Sequence, residues 1–212
     1  MLKADTSMAQ PAASDASLKV PASGQNRPCG KLLITYGSLA LGDIVPSKYG
    51  KLGYEDHLED VKPYHYQGSD SQSLNFAGSG SYSPHTTNRE KYYINSQWGG
   101  FDWSPTYKKG VGPRLINSDK AKSIRKVLPH LRPAIKSTQT NKILVVSIEE
   151  SGPAKWVTKR DGINFGAPPE VYHYLGGKSP YTGNPQDENG KIKVIGFLSP
   201  SDTGSMIGPC TY

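Results

Sequence analysis

The chain has no apolar run of the roughly 18 residues that a membrane-spanning helix needs, and no charged-then-apolar leader is read at Met1. Hydrophobic residues are scarce, 35% of 212, and Phe occurs only four times against thirteen Tyr. Gly (23) and Pro (17) are frequent, which favours a loop-rich, mainly β protein over a helical bundle. The Tyr excess points to aromatics at half-wet positions, where a hydroxyl finds a partner. Two cysteines are too few for a cysteine-ligated metal site, and the histidines (His57, His65, His85, His130 and His173) follow no ligand spacing. Gly78-Ser79-Gly80 is followed by no Lys-Ser/Thr pair, and no nucleophile-elbow motif is present. Neither a metal nor a cofactor is expected.

What the chain does have is positive charge, +7 formally with a pI near 9.2. Such a balance attracts anionic partners. The basic residues form no long block and no helical stripe, so nucleic acid is not expected. The expected partner is a cell-wall polysaccharide or another anionic glycan, and the expected location is secreted or at the cell surface. Cys29 and Cys210 bracket nearly all of the presumed folded region. A disulfide between them would restrain the unfolded chain by roughly 3–5 kcal/mol and would fit an oxidising compartment. The alternative is a pair of free thiols.

Residues 1–28, rich in Ala, Ser, Pro and Gln, cannot bury a core and read as a disordered tether. Lys31 to Tyr36 is the first credible strand, and Gly37 to Gly80 reads as long loops with short strands. Tyr92 to Asn95 is strand-like. It leads to Trp98-Gly99-Gly100-Phe101-Asp102-Trp103, which is either a core plug or an aromatic shelf. Ser118 caps a helix through Lys126, with Ala121, Ile124, Val127 and Leu128 on one face. Pro133 to Thr138 and Lys142 to Glu149 form a hairpin around Gln139-Thr140-Asn141. A short helix spans Glu170 to Leu175 and closes at Gly176, and Lys191 to Leu198 is the last strong strand.

The run Val145-Val146-Ser147-Ile148-Glu149-Glu150-Ser151-Gly152-Pro153 resembles the Val-Val-x-Val-Asn-Asp-Arg-Gly-Pro signature of the rare lipoprotein A branch of the rare lipoprotein A, barwin and expansin superfamily. Gly162-Ile163-Asn164-Phe165-Gly166-Ala167-Pro168 and a helix ending Leu175-Gly176 follow in the order of that branch. The resemblance covers Tyr92 to Leu198. It implies a six-stranded double-psi β-barrel with short helices over residues 91–212, after a long loop-rich N-terminal extension over residues 29–90. It also implies action on peptidoglycan-type polysaccharide. The family's catalytic Asp falls on Glu150, its second Asp on Gly166, and the nearest His, His130, lies about six positions out of register.

The candidate catalytic residues are therefore Glu150, its neighbour Glu149, and Asp161 in the Lys159-Arg160-Asp161-Gly162 turn. A carboxylate raised in pKa by burial or by a like charge can act as a general acid. An ordinary strand end and a plain turn are the alternatives. Trp98, Trp156 and Tyr93 are candidate stacking surfaces for sugar rings, with Lys155 beside Trp156 for an anionic glycan; core packing is the alternative for each ring. Three functions remain: glycan cleavage, glycan binding without cleavage, and a non-catalytic structural or assembly role at a cell surface.

Overall fold

Strand β12 (Lys191–Leu198) shows in one element how this chain makes its sheet. Ile192 and Val194 turn inward and are buried, while Lys191 and Lys193 between them face out. That is the two-residue period of a strand with one covered face. The computed structural model describes residues 27–54, 92–108, 111–177, 191–199 and 207–212; the side chains of Glu149 and Glu150 lie outside the described part.

The chain is mainly β, with a large mixed sheet and a few short helices. β1 (Leu32–Leu33) and β4 (Tyr49–Tyr54) come from the N-terminal third. β5 (Tyr93–Ser96), β8 (Pro133–Ser137), β9 (Ile143–Val145), β10 (Ser147–Ser151), β11 (Ile163–Ala167) and β13 (Gly208–Cys210) complete the sheet with β12. The strand order is β10-β5-β11-β4-β12-β8-β9-β13, with β1 added on β12. β10 with β5 and β11 with β4 are parallel, and the remaining pairs are antiparallel. No closed sheet is found among the described residues. β9 and β10, however, are separated only by Val146. Its N–H donates to Pro133 O at 2.9 Å, and the next N–H, from Ser147, donates to Tyr92 O at 2.9 Å. One length of chain therefore passes from the β8 end of the strand order to the β5 end.

Two small pairs, β2 (Thr35–Tyr36) with β3 (Leu39–Ala40) and β6 (Phe101–Asp102) with β7 (Arg114–Leu115), lie outside this sheet. The helices are α1 (Leu41–Ile44), α2 (Asp119–Val127), α3 (Lys155–Asp161) and α4 (Pro169–Tyr174). Ser118 caps α2 by accepting Ala121 N–H at 3.2 Å, and Ala121 and Ile124 face the core. The β8–β9 turn is held by Ser137 Oγ, which accepts from Gln139 and Thr140 N–H, with Asn141 left-handed at φ 56°.

The main core gathers Trp98, Ile94, Phe165, Ile135, Leu144 and Phe197. A smaller cluster on the opposite face of β8 and β9 joins Ala134, Ile143, Val145 and Leu198 to Cys29 and Cys210. These cysteines form a disulfide across 181 positions. The terminal segments are also laced by backbone bonds, Cys29 N–H to Thr211 O and Thr211 N–H to Arg27 O.

Several details differ from the sequence reading. Lys31 to Tyr36 is two short strands with different partners, β12 and β3. Tyr49–Tyr54, within the stretch read as long loops with short strands, is a strand that pairs with both β11 and β12, so the sheet runs across the expected division at residue 91. Lys155–Asp161, whose end reads in the sequence as a turn, is helical and ends at Gly162 in the left-handed conformation, φ 71°. Trp98 and Trp103 are both core residues, with Trp103 Nε1 donating to Trp98 O at 2.9 Å.

Candidate functional site

β10 runs out at Ser151, turns through Gly152-Pro153 and delivers the chain into α3. The helix buries none of its residues, so packing alone does not fix it. Side-chain hydrogen bonds do. Gln97 Nε2 donates to Pro153 O at 2.9 Å and to Thr158 Oγ1 at 3.0 Å. Thr106 Oγ1 accepts Lys155 N–H at 2.9 Å and donates to Trp103 O at 2.7 Å. The helix is thus tied to the segment that carries the buried tryptophans.

Held this way, α3 presents a basic and aromatic surface. Residues four apart share a helix face. Arg160 accordingly stacks over the Trp156 ring, 4.9 Å from its centroid. Lys155 Nζ lies 5.6 Å from the ring centre of Tyr107, an exposed residue of the 3-10 turn Ser104–Tyr107. Trp156 is half-buried, and Lys159 is exposed. Cation–aromatic contacts at such sites are worth about 0.5–1 kcal/mol and hold rings and charges in a fixed relation.

The sequence-derived candidates separate on this framework. Trp156 and Lys155 lie together on α3. Trp98 and Tyr93 are 0% exposed. A ring with no exposed face cannot receive a sugar, so both belong to the core and not to a binding surface in this fold. Asp161 accepts from Arg160 Nε at 2.7 Å and from Arg160 Nη2 on its other oxygen. The hydrogen-bonded guanidinium of Arg160 holds its carboxyl below the usual carboxylate range, with Lys51 adding a smaller pull. A proton donor near neutral pH needs the opposite shift. Glu149 and Glu150 belong to β10 by backbone, and their side chains lie outside the described residues.

A concavity of about 710 Å³ opens at the turn end of the β8–β9 hairpin. Lys136, Asn141, Lys142, Tyr174 and Tyr212 line it, together with Cys210 of the disulfide. Lys142 Nζ stands 4.9 Å from the Tyr174 ring centre. Burial raises the Tyr174 phenol above its ordinary pKa, which keeps it a neutral hydrogen-bonding group. Among the described residues the lining contains no Asp or Glu side chain.

Sequence reasoning missed Tyr107, Arg160, Gln97 and this cleft. The α3 residues carried a readable signal: Lys155/Lys159 and Trp156/Arg160 are spaced four apart and stop at Gly162. Nothing local announced the cleft, because its walls come from five separate parts of the chain.

No protein-family model matches the chain, and neither a curated protein nor a solved structure does so.

Proposed function

We propose that this chain is a non-catalytic binding module for an anionic, peptidoglycan-type wall polysaccharide, built on a divergent double-psi β-barrel and working in an oxidising, extracellular setting. The observation that carries the reading is α3, where Lys155, Trp156, Lys159 and Arg160 share one short helix beside Tyr107. Aromatic faces suit sugar rings, and the cations suit the acidic groups of the polymer. The Cys29–Cys210 disulfide supports the oxidising setting.

Support for the barrel comes from the strand order. Six stretches, β5, β11, β4, β12, β8 and the β9–β10 length, each neighbour the next, and Val146 carries the sixth back to the first. Binding without cleavage is preferred because Asp161 is held as an anion by Arg160. A lytic activity would rest on Glu150 and Glu149 alone.

The test is co-sedimentation with purified peptidoglycan, with release of soluble fragments followed in the same tubes. The protein should pellet with the polymer and release no fragments. Trp156→Ala should weaken binding by roughly 1–3 kcal/mol, the scale known for bases stacked on aromatic side chains. Fragment release that Glu150→Gln abolishes would replace the binding reading with the lytic one. A wild-type protein that neither binds nor cuts would leave the structural or assembly role.

A further inference from the structure

The outward face of the sheet carries lysines in direct register. Lys193 on β12 is paired with Lys136 on β8, and Lys191 on β12 is paired with Lys51 on β4. Residues opposite one another on neighbouring strands point to the same side. Ile192 and Val194 are buried on the other side, so all four lysines share the outer face. Exposed Tyr49 lies opposite Lys193 on β4, and Lys142, just before β9, lines the 710 Å³ cleft together with Lys136.

Like charges directly opposite one another destabilise a sheet. The ion pairs Lys120–Asp43, Lys122–Asp119 and Arg160–Asp161 include no lysine of this face, and Lys51 has only a minor attraction to Asp161. A repulsive arrangement repeated across adjacent strand pairs costs stability in the free protein and gains a purpose when an anion lies across it. The row also has direction. Lys51 pairs with Ile163, two residues beyond Asp161 at the end of α3. From there the lysines step across β4, β12 and β8 to Lys142 and the cleft.

We propose that this lysine face is a binding track for a linear polysaccharide bearing one carboxylate or phosphate per repeat, running from α3 to the cleft beside the disulfide. The proposal rests on the polysaccharide-binding reading and gives it a ligand class and a route. Neighbouring strands set a spacing of about 4.8 Å, and alternate residues along a strand about 6.7 Å. A chain of regularly placed anions can engage such a grid several charges at a time. Lysines are point charges, without the planar fork of Arg. The track therefore reads charge and spacing and is indifferent to fine group geometry. The disulfide favours an extracellular glycan over nucleic acid as the polyanion.

The experiment titrates the full chain with polygalacturonate, with its methyl-esterified neutral form, and with single-stranded DNA, at low and high salt. Binding to polygalacturonate should exceed binding to the ester and should fall with salt. Lys193→Glu should lower the affinity about tenfold or more, since it removes one attraction and adds a repulsion. Its melting temperature should hold or rise, because the introduced carboxylate would face Lys136 across the strand pair. Lys191→Gln/Lys136→Gln serves as the second variant if the first does not fold. A purely structural role for the lysines predicts the reverse pattern, with stability moving and affinity unchanged. Unchanged affinity in folded lysine variants overturns the track, as does equal binding of the acid and ester forms. If Trp156→Ala weakens binding while the lysine variants do not, the α3 reading stands and the track falls. DNA bound more tightly than polygalacturonate, with the same lysine dependence, overturns the glycan assignment.

Discussion

Arg160 serves two neighbours at once. Its guanidinium covers one face of Trp156 and grips both oxygens of Asp161. The second contact has a pH signature. Asp161 has a folded pKa below its unfolded value of about 3.9. Its contribution to stability is therefore complete above that unfolded value and is lost as pH falls through the lower, folded one. Asp161→Asn should lower the melting temperature near neutral pH. The gap between wild type and variant should close as the solution is acidified below about pH 4. A gap that stays constant down to strong acid would mean that the Arg160 contact adds nothing through charge. At this scale the sequence was legible in residue types but not in exposure. Tyr93, Trp98 and Trp156 are all aromatic residues near Gly or basic residues, yet two are sealed in the core and only Trp156 keeps surface. Burial is decided by strands far away in the chain, which no local window contains.

The elements that were legible are those whose hydrophobic pattern and punctuation agree. Lys191–Leu198 alternates cleanly, Ser118 caps a helix whose apolar face recurs every three to four residues, and a polar turn joins β8 to β9. β4 was missed because Tyr49-Gly50-Lys51-Leu52-Gly53-Tyr54 lacks β-branched residues and contains two glycines. Those glycines have a packing reason: a Cβ at Gly50 would fall 2.2 Å from Asn164 Oδ1, and one at Gly53 2.9 Å from Ile163. Close passage of β4 against β11 forbids side chains there, and that constraint is invisible until the partner strand is known. Gly99 is the sharper case. Its N–H donates to Ile44 O at 2.9 Å, and an added Cβ would fall 1.9 Å from the backbone oxygen of Asp43. A backbone atom cannot rotate away as a side chain can. Gly99→Ala should therefore destabilise the fold by about 2 kcal/mol or more in urea unfolding, by forcing α1 off the turn before β6. A loss within about 0.5 kcal/mol, the range of neutral surface changes, would show that α1 docks loosely.

Across the whole molecule, the two ends of the described chain are fastened to each other and to the sheet. The disulfide joins segments 181 positions apart over the small cluster of Ala134, Ile143, Val145 and Leu198. Replacing both cysteines by Ser should cost roughly 3–5 kcal/mol, because the unfolded chain regains the freedom of a very long loop. Equal melting temperatures for the oxidised protein and the Cys29→Ser/Cys210→Ser variant would show that the backbone ladder alone holds the termini. The pairing was legible from two lone cysteines at the ends of the folded region. The strand order was not legible, since neighbours such as β4 and β12 are far apart in sequence. The lysine face emerges only once that order is known, for it is assembled from β4, β8 and β12. Reception of an anionic polysaccharide by this sheet and α3 together is the central claim. The most direct measurement is a backbone amide NMR titration with a short oligogalacturonate. Shifts should concentrate at Lys155–Asp161, Lys51, Lys136 and Lys191–Lys193. Shifts confined to other surfaces, or none at millimolar ligand, would contradict the claim.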